Sequence, residues 1–155
     1  MTSPAQSTPA PFVALLRRHG LRVTRPRLAL LAVLEQQPHA EAEQLAELVR
    51  GRLGTISAQA VYDALNAFAL VGIVRRVEPA GSAALYETRT GDNHHHVVCR
   101  ACGRIADVDC AVGSAPCLDP SQAHGFVLDE AEVTYWGLCP DCQQSREPTI
   151  ERSTT

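Results

Sequence analysis

Apolar residues recur at helical spacing through the first half of the chain and give way to short extended runs in the second. The spacing predicts a helix from Phe12 to His19, closed by Gly20. A second follows Thr24, with Pro26 in its first turn and Leu28, Leu31 and Leu34 along one face. A third runs from Glu41 to Leu53, where Glu41 and Glu43 early and Arg50 and Arg52 late complement the helix dipole and Gly54 ends it. Ser57 caps a fourth, ending at Gly72, which buries Val61, Leu65 and Phe68 and turns Gln59, Tyr62, Asp63 and Asn66 to solvent. Two extended runs, Ile73 to Val77 and Ala83 to Glu87, are joined by a turn containing Pro79, Gly81 and Ser82, which reads as a hairpin.

Helices followed by a hairpin match a winged helix-turn-helix, whose last helix enters a major groove. Periodicity alone is weak evidence, since many helix pairs bind nothing. A break at Thr88 to Asn93 precedes further extended runs at His94 to Cys99, Arg104 to Asp109 and Glu132 to Gly137, with a short helix around Ser114 to His124. The expected fold class is α+β: an N-terminal winged helix-turn-helix domain over 12–87, a hinge over 88–93, and a small α+β dimerisation domain over 94–144. The polar segments 1–11 and 145–155 read as flexible tails.

A length of 155 residues suits one domain or two small ones, and 45% apolar with 20% charged residues is ordinary for a globular chain. No apolar run approaches the roughly 20 residues that cross a bilayer, so a spanning helix is excluded. Met1 to Pro11 lacks the basic start and apolar core of a secretory signal, so the expected location is the cytoplasm, where the six cysteines stay reduced. The net charge of −3 hides an asymmetry. All 14 basic residues are arginine; up to Asp92 ten of them face eight acids, and beyond it four face nine. Arg17, Arg18, Arg22, Arg25 and Arg27 precede Leu28 with no acid among them. Guanidinium forks suit phosphate oxygens, although a solvated helix face would look the same.

Cys99 and Cys102 form one C-x-x-C, and Cys139 and Cys142 a second. Two such knuckles bring four thiolates together in the tetrahedral arrangement of a closed structural zinc site, and a thin second domain needs such a metal. Disulfides within each pair, an iron–sulfur cluster and unconnected thiols compete with zinc. The second knuckle is expected, like the first, at a hairpin tip. In the run His94, His95, His96, strand alternation sets His94 and His96 on one face and His95 on the other. Asp107 on the following strand, Glu87 at the end of the wing and His39 in the connection before the third helix could complete a site. Imidazole and carboxylate without thiolate suit Fe²⁺, Mn²⁺ or Zn²⁺. A solvated histidine cluster is the alternative.

Four runs together carry a resemblance: V-T-R-P-R from Val23, A-V-Y-D-A-L-N from Ala60, H-H-H-V-V-C-R-A-C-G from His94, and the second C-x-x-C. They resemble the ferric uptake regulator (Fur) family over residues 12 to 143, and within it the actinobacterial peroxide-sensing regulators paired with catalase-peroxidase genes. The resemblance implies a regulatory metal on His39, Glu87, His94, His96 and Asp107. It also implies peroxide sensing, because iron-sensing relatives usually have glutamate at the position of Asp107, with Fe²⁺ promoting oxidation of its own ligands His39 and His94. Departures are Asn93, His95, Ser114 and Ala131, where many relatives place ligands of a further metal site, and Asp63, where several have arginine. Cys110 and Cys117 lie outside the zinc set, either as redox-active thiols or as ordinary core or loop cysteines. His19 and His124 read as helix-end or surface residues.

The expected function is therefore that of a homodimeric, metal-dependent, peroxide-responsive repressor of oxidative-stress genes such as a catalase-peroxidase, not an enzyme. It would bind an inverted repeat in double-stranded DNA and associate with no membrane. Arg22, Arg25 and Arg27 would hold phosphates, and Gln59 and Tyr62 would reach base edges. The alternatives are an iron- or zinc-uptake regulator of the same family, a non-haem iron oxygenase built on two histidines and a carboxylate, and a zinc-stabilised protein-interaction module.

Overall fold

The computed structural model describes residues 10–92, 94–109, 121–127 and 132–145. The chain divides into two compact units, Met1–Gly91 and Asp92–Thr155.

In the first unit, α1 (Ala10–Arg18) and α2 (Arg25–Gln36) lead through the two-residue strand β1 (Ala40–Glu41) into α3 (Ala42–Leu53) and α4 (Ala58–Leu70), followed by β2 (Arg75–Val77) and β3 (Leu85–Glu87). The boundaries follow local chemistry. Thr24 Oγ1 accepts from the Arg27 amide at 3.4 Å at the start of α2, and Ser57 Oγ accepts from the Ala60 amide at 3.1 Å at the start of α4. After α3 the chain turns at Gly54 with φ +88°, a conformation that would strain any side chain with a Cβ.

The core is continuous. Leu16, Leu31, Leu34, Leu45, Val49, Val61, Leu65 and Phe68 are fully buried in one cluster contributed by all four helices. The apolar stripe of α2 is Leu30, Leu31, Val33 and Leu34, and Leu28, expected within it, only packs at the margin. Phe68→Ala is expected to lower unfolding free energy by about 3–5 kcal/mol, because Phe68 is among the largest side chains fully buried in this core. A urea titration shifting by under about 1 kcal/mol would contradict that placement.

The hairpin is shorter than its hydrophobic pattern. Ile73 and Val74 are buried in the helical core and precede β2 rather than pairing in it. β3 lies centrally in an antiparallel sheet of order β1-β3-β2, with Ala40 opposite Tyr86 and Arg76 opposite Tyr86 on the other side. Glu41 thus belongs to β1 and caps α3 from outside it.

The second unit holds β4 (His94–Cys99), β5 (Ile105–Asp109), β6 (Thr134–Gly137) and the short α5 (Pro140–Gln144). The sheet order is β5-β4-β6, β4 pairing antiparallel with β5 and parallel with β6. Among the described residues of this unit, the buried set is His94, His95, His96, Val98 and Cys99. So little aliphatic burial leaves the described part of the unit short of the apolar area that stabilises an ordinary core. The expected helix around Ser114 to His124 falls mostly outside the described residues, and its last part, Ser121 to His124, is bend and turn. Cys110 and Cys117 also lie outside them.

Candidate metal centres and nucleic-acid interface

The sheet of the second unit delivers four sulfurs to one point. Cys99 ends β4; the turn after it carries Cys102 and closes at Gly103 (φ +75°), whose amide donates to the Cys99 carbonyl at 2.9 Å. β6 runs parallel beside β4 with Gly137 opposite Cys99, so the chain leaves the sheet next to that residue. There Cys139 caps α5 and donates its amide to Cys99 Sγ at 3.3 Å, while Cys142 lies within the helix. The second knuckle is therefore a strand-to-helix junction, not the hairpin tip expected from sequence; Pro140, which suits a helix's first turn, supplies the reason.

The four Sγ atoms lie within 4.8 Å of one another, and Cys102 and Cys139 are 3.7 Å apart. A zinc–sulfur bond of about 2.3 Å sets a tetrahedral edge of about 3.8 Å, so the donor set fits that ion in chemistry and spacing. Arg104 Nη2 reaches Asp141 Oδ2 at 2.8 Å, joining the two knuckles at the surface. The amides of Cys139 and Cys102 hold the Cys99 thiol down to about 6, whereas hydrogen bonding with Cys139 and Cys102 pushes Cys142 up to about 12.

The sequence-predicted histidines and carboxylates form pairs within each unit. In the first, extending the β1–β3 register by one residue brings His39 opposite Glu87. The His39 amide donates to the Tyr86 carbonyl at 2.8 Å, and its Nε2 lies 2.8 Å from Glu87 Oε2. Glu87 is fully buried. His39 has φ +60°, a left-handed backbone that costs a non-glycine residue on the order of 1 kcal/mol and is maintained where surroundings require it.

In the second unit, β4 pairs His96 with Asp107, whose Oδ1 lies 3.6 Å from His96 Nε2. The other ring nitrogen, Nδ1, faces Glu132 Oε1 at 3.7 Å. His94 Nδ1 contacts Asp92 Oδ1 at 2.6 Å. The His94 and His96 rings meet edge to face at 5.0 Å, consistent with their shared strand face. His95 points to the other face and is also buried, its ring 6.2 Å from that of Tyr135. The solvated-cluster alternative does not hold, because β4 is the central strand and all three histidines are covered. Sequence reasoning missed Asp92 and Glu132. Asp92 stood two residues before His94, the spacing that returns to one strand face; no local signal marked Glu132.

On the first unit, α4 exposes Gln59, Tyr62, Asp63 and Asn66. Gln59 Nε2 donates to Asp63 Oδ1 at 2.8 Å. Arg22 and Arg25 are exposed before and at the start of α2, while Arg27 Nη1 donates to the Arg22 carbonyl at 2.9 Å and so braces that turn. The wing adds Arg76, absent from the sequence-based set, with Nη2 2.6 Å from Glu78 Oε1. Its position on a short strand gave no signal of exposure.

The model of the ferric uptake regulator family matches residues 18–135. The transcriptional regulator FurA of Mycobacterium tuberculosis is 60% identical over 134 residues, covering 86% of this chain and 91% of the relative. Among solved structures, the Pseudomonas aeruginosa ferric uptake regulator with manganese superposes with a TM-score of 0.67 at 26% identity, covering 83% of this chain and 97% of that one. The Campylobacter jejuni peroxide stress regulator gives 0.62 at 26% identity, covering 84% and 98%. No helix among the described residues is long and apolar enough to cross a membrane.

Proposed function

Since the chain belongs to the ferric uptake regulator family, we propose that it is a homodimeric regulator whose binding to operator DNA is governed by Fe²⁺ or Mn²⁺. Membership makes it a metal-responsive regulator of transcription and sets the oxygenase reading aside. The single observation that carries the metal dependence is the set of paired imidazole and carboxylate groups without thiolate, His39 with Glu87 and His96 with Asp107.

His39, Glu87, His94, His96 and Asp107 are the proposed regulatory ligands, and Cys99, Cys102, Cys139 and Cys142 the proposed zinc ligands. Glu132 and Asp92 contact the second ring nitrogen of a histidine in that set, the place where supporting carboxylates fix imidazole orientation. A bound divalent ion would supply positive charge to these carboxylates and a Lewis-acid centre to the imidazoles. The side chains of the first unit then do the reading: Arg22 and Arg25, with Arg27 bracing their turn, hold phosphates, and Gln59 and Tyr62 approach base edges in the major groove. Two such heads in a symmetric dimer match an inverted repeat with half-sites one helical turn, or a multiple, apart.

The names of the relatives favour an iron-responsive role: FurA at 60% identity is joined by ferric uptake regulation proteins 1 and 2 of Mycolicibacterium fortuitum at 58% and 56%. A second reading, repression relieved by peroxide, is favoured by Asp107 beside His96 and by the likeness to a peroxide stress regulator. Operator binding measured with Fe²⁺, Mn²⁺ and chelator tests the shared core. Tight binding with either ion and loss with chelator is expected; equal affinity in all three refutes metal control. Peroxide added to the iron-loaded sample separates the readings. Gain of one oxygen on His39 or His94, absent with Mn²⁺, supports the second, and unmodified histidines with intact DNA binding support the first.

A further inference from the structure

We propose that Asp63 is a specificity-determining residue, which fixes the Gln59 amide and directs α4 to base pairs that present an exocyclic amine in the major groove. The inference rests on the reading of α4 as the DNA-facing helix. The exposed stripe of that helix, Gln59, Tyr62, Asp63 and Asn66, carries one ionic side chain, Asp63, and α4 contains no arginine or lysine. Base reading on this face therefore cannot use the arginine fork that selects guanine O6 and N7.

The contact between the two side chains settles the orientation of the amide. A carboxylate is an acceptor only, so the Gln59 group 2.8 Å from Asp63 Oδ1 is the NH₂. Oε1 and the remaining N–H are then presented in one order, and a flip would set two acceptors against each other. Asp63 keeps a second oxygen, which accepts from cytosine N4 or adenine N6 and is repelled by guanine O6 or thymine O4. Positions 59 and 63 are one helical turn apart on one face, so the pair addresses neighbouring base pairs in a half-site.

The test uses the zinc-loaded, full-length chain. Bound duplexes are selected from a random pool with Mn²⁺ present, and affinities for every single-base-pair variant of the selected operator are measured by fluorescence anisotropy. With the unmodified chain, one base pair per half-site should demand cytosine or adenine on the contacted strand, with substitution by guanine or thymine weakening binding about tenfold. Asp63→Asn, which can donate as well as accept, should reduce that discrimination to within about twofold and relax at most the adjacent base pair that the Gln59 amide reads, leaving the remaining positions unchanged, and Gln59→Ala should relax the same or the adjacent base pair. A uniform gain or loss of affinity with the base profile intact in Asp63→Asn overturns the proposal, as does relaxation by Gln59→Ala at a remote position. If the unmodified chain enriches no sequence at all, the DNA-reading assignment of α4 fails first, and that outcome is distinct from both.

Discussion

Cys102→Ser is expected to leave the second unit without zinc and unfolded, while the helical core of the first unit persists. The four sulfurs lie within 4.8 Å of one another, on two separate pieces of chain: the end of β4 with the turn after it, and the start of α5. Nothing else in the described part of that unit replaces them, since its buried residues are three histidines, one valine and one cysteine. Structural zinc contributes about 10–16 kcal/mol in comparable small sites, as much as the whole stability of a typical domain at about 5–15 kcal/mol. Elemental analysis should fall from one zinc per chain to near none. Backbone NMR signals of β4, β5 and β6 should collapse as those of α2 to α4 remain dispersed. Full zinc content with an unchanged spectrum would remove Cys102 from the site.

Glu87→Ala should weaken Mn²⁺-dependent operator binding by about 10²- to 10⁴-fold, the range that separates partial from almost complete control of a two-state equilibrium. Glu87 is fully buried with its carboxylate 2.8 Å from His39, so alanine removes the charge together with the group that positions the imidazole. Glu87→Gln keeps the volume and loses the charge, which separates ligand chemistry from packing. Both variants should bind DNA with or without Mn²⁺ at the affinity that the unmodified chain shows with chelator. Fluorescence anisotropy on a labelled operator checks it; Mn²⁺ stimulation retained in Glu87→Gln would take this carboxylate out of the regulatory set.

Much of the first unit can be read along the chain because its determinants are local. Thr24 and Ser57 cap the helices they precede, and Gly54 and Gly72 follow the ends of α3 and α4 with positive φ. Val61, Leu65 and Phe68 are buried at the spacings that predicted them. What escaped depends on distant partners. β1 is two residues long and exists because Ala40 and Glu41 pair with Tyr86 and Leu85, more than forty positions away, and that pairing is what brings His39 to Glu87. Ile73 and Val74 look like strand residues but fill the helical core instead.

The candidate sites divide the same way. Residue type and spacing marked the four cysteines, and their convergence required the parallel β4–β6 pairing, which no short-range pattern encodes. Strand alternation placed His94 and His96 together, while the burial of His95 on the opposite face, its ring 6.2 Å from that of Tyr135 on β6, depends on residues distant in the chain. Glu132 became visible only once β6 was paired beside His96.

The proposal that Glu87 and Asp107 belong to the regulatory metal set is tested most directly by calorimetric titration of Mn²⁺ into the zinc-loaded chain. The expected result is regulatory Mn²⁺ binding that is lost on replacing Glu87 and lost on replacing Asp107. Undiminished stoichiometry and affinity after either replacement would contradict it.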